Sequence, residues 1–307
     1  MSALALRFGG YQPPASIHNQ AAQRFGELLG EKLGDRITFE LIGSVLDLGR
    51  PSGELPLMVE HGELSFCYMS TVRFTGWVPE LQILELPFLI RDREVAWAAL
   101  DGELGARLTR RLHATTPFRV VGLWDNGFRH LSNRVRPLRR PQDCRGLTIR
   151  TQMSELHGQV FRALGFEPIA ADIKQFVAEI AGGRFDAQDN PLTNIYTFGV
   201  HRHHPYITLS GHFFGASFLI VNADHYRSWP ADVQAAVDEA AREATVLQRR
   251  LAASEDEDVL TRLDPRKNDV IELTSEEQAA FVAAVQPVLA RYRRRLDPEL
   301  FTYLEGA

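Results

Sequence analysis

Residues 4–69 alternate between two hydrophobic periods, and that alternation most restricts what the chain can become. Leu4 to Gly9 reads as a strand. Ser16 can cap a helix from Ile17 to Leu33, on which Phe25, Leu28, Leu29 and Leu33 recur at helical spacing. Gly34-Asp35 turns the chain into a strand over 36–42, where Ile37, Phe39 and Leu41 alternate. A helix near 53–61 and a strand over 64–69 follow. Strand, helix, strand, helix, strand in this order argues for a wound α/β domain. In such sheets ligands sit beyond the carboxyl ends of the strands. Those ends carry Tyr11, then Gly43-Ser44, then Ser70 with Arg73.

Further along, residues 92–113 read as one long amphipathic helix and 118–124 as a strand. Asn126-Gly127 is a turn signal, and the first domain crossing is expected there. A strand over 128–133 opens the second domain, with helices at 154–164 and 172–181 and a strand at 205–210. Residues 217–222 are expected to return to the first domain. A long helix rich in Ala, Glu, Arg and Leu spans about 231–263. Thr274-Ser275-Glu276-Glu277 begins another, reaching Arg295. The chain is long enough for two domains, expected as 1–126 plus about 215–253, and 127–214 plus about 254–307.

The charge of the chain narrows its partners. It is −5 overall and no basic stripe interrupts it, which argues against a nucleic-acid partner. No apolar run approaches the roughly 20 residues needed to span a bilayer. The opening MSALALRF is too short for a secretion signal. The two cysteines, Cys67 and Cys144, show neither pairing nor metal spacing, and both are expected free. The run His201-Arg202-His203-His204-Pro205 tempts a metal assignment. Adjacent loop histidines seldom converge on one ion, so a solvated loop is expected instead. No GxSxG elbow, HExxH, P-loop or GxGxxG occurs, so no cofactor and no required metal is implied.

The chemistry is best sought between Pro141 and Pro191. Pro141-Gln142-Asp143-Cys144-Arg145-Gly146-Leu147-Thr148-Ile149-Arg150 ends as a short half-buried strand, with Arg150 turned away from its apolar face. Ala163-Leu164-Gly165 and then Gly183-Arg184-Phe185-Asp186-Ala187-Gln188-Asp189-Asn190-Pro191 place a side-chain amide, Asn190, in a turn. A strand-end guanidinium with an amide is a carboxylate clamp in kind, because the planar fork matches a carboxylate bidentately.

These segments resemble the solute-binding proteins of tripartite ATP-independent periplasmic (TRAP) transporters, the DctP family. The family pattern of an "xDxxGlxiR" strand, an "aLGaxP" loop and a "GxxDgqeNp" turn is matched by PQDCRGLTIR, ALGFEP and GRFDAQDNP. LRFGGYQPPASIHNQAAQRF, PELQILELPFLIRDREVAW and WDNGFRHLSN match the flanks, so the resemblance covers essentially the whole chain.

The resemblance implies a two-domain α/β periplasmic-binding-protein-like fold with discontinuous domains, an interdomain ligand cleft and a long hinge-spanning helix. It implies an extracytoplasmic solute-binding subunit, not an enzyme, that binds a small organic acid and hands it to membrane permease subunits. The expected location is the periplasm, with any signal peptide removed from the sequence, and the expected state is a monomer. Arg150 is expected to hold the ligand carboxylate, with Asn190 and Arg129 completing the clamp and Tyr11, Ser70, Arg73 and Phe213 reading the rest. At Ala171, Ile173 and Gln175 the chain departs from the family's common Met, bulky residue and Glu; these positions are expected to line or support the cleft. Two alternatives stay open: an enzyme acting on a small carboxylate, for which His157 is the nearest candidate base, and a ligand-sensing subunit.

Overall fold

The structure is a computed structural model that describes residues 3–305. Among the described residues nine strands run in chain order: β1 (Leu4–Gly9), β2 (Ile37–Ile42), β3 (Phe66–Ser70), β4 (Phe118–Asn133), β5 (Thr148–Thr151), β6 (Glu167–Ala170), β7 (Ala187–Pro191), β8 (Tyr206–Asn222) and β9 (Asp269–Glu272). Contact density divides the chain into two compact units. The first is Met1–Val78, Leu100–Asp125 and Ala216–Ser254; the second is Pro79–Ala99, Asn126–Gly215 and Glu255–Ala307.

In the first unit β1 lies between β2 and β3, parallel to both, and β3 pairs antiparallel with β8. The helix Ile17–Leu33 covers this sheet. Ser16 starts it by accepting from the Asn19 N–H, and Gly34, at φ 53°, ends it. Its buried side chains Phe25, Leu28, Leu29 and Leu33 recur at helical spacing. Phe25 and Phe66 meet edge to face at 5.0 Å, and Phe8 stacks on Trp124 at 6.3 Å. Burying these rings is favourable by roughly 25 cal/mol per Å² of apolar surface removed from water.

In the second unit the order is β4-β7-β5-β6. β4 is antiparallel to β7, β7 and β5 are parallel, β5 and β6 are parallel, and β9 runs parallel to β8. The helix Glu155–Leu164 is capped by Ser154 and closed by Gly165 at φ 99°. Ser275–Arg293 starts with a reciprocal Thr274–Glu277 capping box. The 32-residue helix Ala231–Arg262 runs unbroken past the unit boundary at Ser254.

Several sequence expectations need correction. Residues 92–113 form two helices, Arg93–Asp101 and Glu103–Thr115, broken at Gly102 with its extended backbone. Asn126-Gly127 is no turn: β4 runs straight through it, with Gly127 at φ 85°. The strands expected at 205–210 and 217–222 are one strand, β8, which begins at Tyr206. Pro79–Ala99 groups with the second unit, where the order of the chain had suggested the first. Its anchors explain why: Glu85 meets His157, and the Phe88 N–H bonds His212 O at 2.9 Å. Phe88 sits at φ 57°, a conformation that side chains other than glycine rarely adopt.

Candidate ligand-binding site

Register decides which side chains of the second unit share a face. Arg150 stands opposite Gln188, and β4 sets Ser132 opposite Gln188 and His130 opposite Asn190. Because side chains alternate along strands, Arg150, Gln188, Asn190, Ser132 and His130 lie on one face. Asp189, Leu131 and Arg129 start from the other face.

Arg150 is 3% exposed and its Nε donates to Ala171 O at 3.0 Å. Its guanidinium lies over the Phe176 ring at 5.5 Å. Held through Nε, the planar guanidinium has a fixed orientation. Phe176 comes from the helix Ile173–Glu179, capped by Asp172. Of the three departures from the family pattern, Ala171 meets Arg150 directly. Ala171 supplies the carbonyl, and Ile173 is buried on the same helix as Phe176. Gln175 does not line a buried site. It is exposed, on the helix face away from Phe176, and donates to Glu179 Oε1 at 3.1 Å.

Asn190 sits in a directional chain of buried amides. Asn194 Nδ2 donates to Asn190 Oδ1 at 3.3 Å, Asn190 Nδ2 to Gln188 Oε1, and Gln188 Nε2 to Ser132 Oγ at 2.6 Å. Ser132 Oγ in turn meets His204 Nδ1 at 3.1 Å. The chain fixes the Asn190 amide so that one of its N–H groups is held and the other directed. His204 is thus fully buried and not in a solvated loop; burial pushes its pKa down to about 4.

Arg129 is anchored differently. Its Nε donates to Asp189 Oδ2 at 2.5 Å and its Nη2 to Asp189 O at 2.6 Å. Burial pushes the Asp189 carboxyl up, but Arg129 and His212 outweigh it and hold it well below the usual carboxylate range. His212 Nε2 lies 3.6 Å from the same oxygen, and its Nδ1 meets Ser210 Oγ at 2.8 Å. Phe213, next in the strand, is fully buried and stacks on His157 at 4.3 Å with an 11° interplanar angle. His157 Nε2 meets Glu85 Oε2 at 2.8 Å, so the one candidate base is engaged on two sides.

The first unit gathers the other expected residues at the carboxyl ends of β1, β2 and β3. Tyr11 bridges to Ser44, and its ring lies 5.3 Å from Tyr68. Ser70, buried at the end of β3, leads into the short turn Thr71–Phe74, which carries the half-buried Arg73. Sequence reasoning missed Gln12 and His18, both fully buried here. Gln12 lies just after β1, and His18 is the second residue of the helix Ile17–Leu33. Sequence reasoning also missed Gln188, Asn194 and the Ser210–His212–Asp189 series, which only the strand pairing assembles. Cys67 and Cys144 are free and buried, which pushes both thiols up. Among the described residues no group of three or more metal-ligating side chains occurs, and no helix is long and apolar enough to cross a membrane.

The chain is similar to known proteins over nearly its whole length. The model of the family "Bacterial extracellular solute-binding protein, family 7" (DctP) matches residues 8–295. A solute-binding protein of Verminephrobacter eiseniae is 30% identical over 81% of this chain and 73% of its own. The C4-dicarboxylate-binding periplasmic protein DctP of Rhodobacter capsulatus is 26% identical over 99% of this chain and 91% of its own. The crystal structure of a TRAP periplasmic solute-binding protein from Sulfurospirillum deleyianum, with bound succinate, matches with a TM-score of 0.93 at 25% identity over 99% of each chain. The chain belongs to bacterial extracellular solute-binding protein family 7, the DctP family of TRAP solute-binding proteins, and has their α/β fold.

Proposed function

We propose that this protein captures a small organic acid by its carboxylate outside the cytoplasm and delivers it to the membrane subunits of a TRAP transporter, without chemistry. The observation that carries the reading is Arg150. A nearly fully buried guanidinium at a strand end, oriented by the Ala171 carbonyl and the Phe176 ring, is a poor stabiliser of the fold and a good carboxylate receptor. Asn190 adds an amide N–H from the same sheet face. Arg129, fixed by Asp189, completes the clamp. Tyr11, Ser70 and Arg73 in the first unit, and Phe213 in the second, are the further candidate ligand contacts.

Two relatives point the same way, one described as binding C4-dicarboxylates and one holding succinate. Delivery to a permease and a periplasmic location follow from the family. A purely binding role also fits the engagement of His157 by Glu85 and Phe213. The test is a thermal-shift screen over small organic acids. A ligand at about 100 times its Kd adds roughly 2.7 kcal/mol and raises the melting temperature by on the order of 5 °C. If no carboxylate raises it, the reading fails. If an acid is consumed on incubation, the enzyme alternative replaces it.

A further inference from the structure

Of the run His201-Arg202-His203-His204, His204 joins the amide chain behind Asn190. His201 and Arg202 instead line a pocket of about 590 Å³ that lies wholly within the second unit and shares no residue with the Arg150 face. Its walls come from the helix Leu192–Thr197, the turn Val200–Arg202 and the segment where the helix Ala231–Arg262 ends. These walls are tied together. Asn268 Nδ2 donates to His201 O at 2.7 Å, and the N–H groups of Lys267 and Asn268 both donate to Asp264 O at 2.9 Å. The Tyr196 ring stacks on His201 at 4.8 Å with a 9° interplanar angle, and the Arg262 guanidinium lies over the Tyr196 ring at 5.8 Å.

The charges of the pocket do not balance. Arg202, Arg262 and Lys267 line it against a single carboxylate, Asp264. Arg266 already takes that carboxylate, through Nε and Nη2, each at 3.1 Å. Arg262 reaches Asp258 only at 3.9 Å, and Lys267 acts on Asp264 only through space. Arg202 forms no ion pair among the described residues. His201 adds no charge at neutral pH: burial lowers its pKa, and its Nδ1 meets Ile195 O at 3.3 Å. Cations gathered in a concave wall focus their field on an anion, here in a chain whose net charge is −5. A monocarboxylate answers one cation. A phosphoryl group brings about two negative charges and three acceptor oxygens, which suit guanidinium and ammonium donors together.

We propose that this pocket is a phosphoryl-binding site, distinct from the carboxylate site, whose ligand is a soluble phosphate ester or the phosphate of a lipid headgroup.

The test is calorimetric titration with inorganic phosphate, pyrophosphate and glycerol 1-phosphate at about 0.15 M salt, where distant exposed charges are screened. Sedimentation with vesicles of phosphatidylglycerol and phosphatidylcholine, against phosphatidylcholine alone, reads the lipid source. Arg202→Gln, Arg262→Gln and Lys267→Gln change exposed side chains, so folding should survive. Arg294→Gln makes the same charge change at an exposed position outside the pocket. At least one soluble probe, or the anionic vesicles, should bind the wild type. Each pocket variant should weaken that binding about tenfold or more, the loss of one charge-assisted contact. Arg294→Gln and Arg150→Ala should leave it within about twofold. Binding of soluble probes alone identifies a phosphate ester, and binding of vesicles alone a headgroup. Absence of binding by every probe below about 1 mM would overturn the site, and so would an equal loss in Arg294→Gln. Binding lost in Arg150→Ala but kept in the pocket variants would place the phosphoryl group at the carboxylate site and overturn this one. Organic-acid binding should be unchanged in the pocket variants, so the two sites fail or stand separately.

Discussion

Arg129 and Arg150 show how two arginines on the strands either side of β7 come to do different things. Arg129 is matched by Asp189 in a buried pair with a distance of 2.5 Å. Removing one partner of such a pair leaves an uncompensated buried charge, at a typical cost of about 3–5 kcal/mol. Asp189→Ala is therefore expected to lower stability by that order in urea denaturation. Arg129→Met combined with Asp189→Leu should recover much of the loss. If Asp189→Ala unfolds within about 0.5 kcal/mol of the wild type, the pair contributes nothing to folding. Arg150 is oriented by the Ala171 carbonyl and by the face of the Phe176 ring. The sequence showed an Arg at the end of a half-buried strand. It could not show the Ala171 carbonyl, because that contact joins residues 21 positions apart.

At the scale of elements, the strands and helices with clear periodicity were legible. Ile17–Leu33 and Ala231–Arg262 carry their signals locally, in caps and helix formers. What escaped was set by tertiary contact. Asn126-Gly127 has the composition of a turn, yet β4 continues because Gly127 can take φ 85° beside Pro191, where an added Cβ would come within 3.1 Å of the proline ring. The break at Gly102 has a similar origin. A Cβ on Gly105 would lie 1.7 Å from Leu100 O, so the second helix approaches the end of the first too closely for any side chain. Gly105→Ala is thus expected to destabilise the protein by about 2 kcal/mol or more, read from the shift in denaturation midpoint. A neutral or stabilising effect, as for an ordinary helical Gly→Ala change, would contradict this packing. The site's amide chain was invisible for the same reason: Gln188 and Ser132 are 56 positions apart and meet only through the β4–β7 register.

For the whole molecule, buried histidines make stability depend on pH. Burial lowers His18 and His130 to about 3 and His204 to about 4, all below the unfolded value near 6.5. A depressed histidine leaves the unfolded chain binding more protons, so stability is full above pH 6.5 and falls as the pH drops toward 3–4. At pH 5 each such group costs about 2 kcal/mol relative to neutral pH, from 1.5 pH units at about 1.36 kcal/mol each. Asp189, held low, adds its own loss only below about pH 4. The melting temperature should therefore decline steeply between pH 6.5 and 4.5, and a flat profile there would contradict neutral buried imidazoles. The central claim, that Arg150 holds the ligand carboxylate, is tested most directly by calorimetric titration of the wild type, Arg150→Ala and Arg150→Lys with the acid found by screening. Truncating one member of a buried charge pair typically costs about 2–5 kcal/mol, and about 1.4 kcal/mol is tenfold in affinity. Arg150→Ala should weaken binding on the order of a hundredfold or more while remaining folded, and Arg150→Lys should also bind poorly because an ammonium cannot reproduce the fork. A folded Arg150→Ala protein that binds within about threefold of the wild type would place the carboxylate elsewhere.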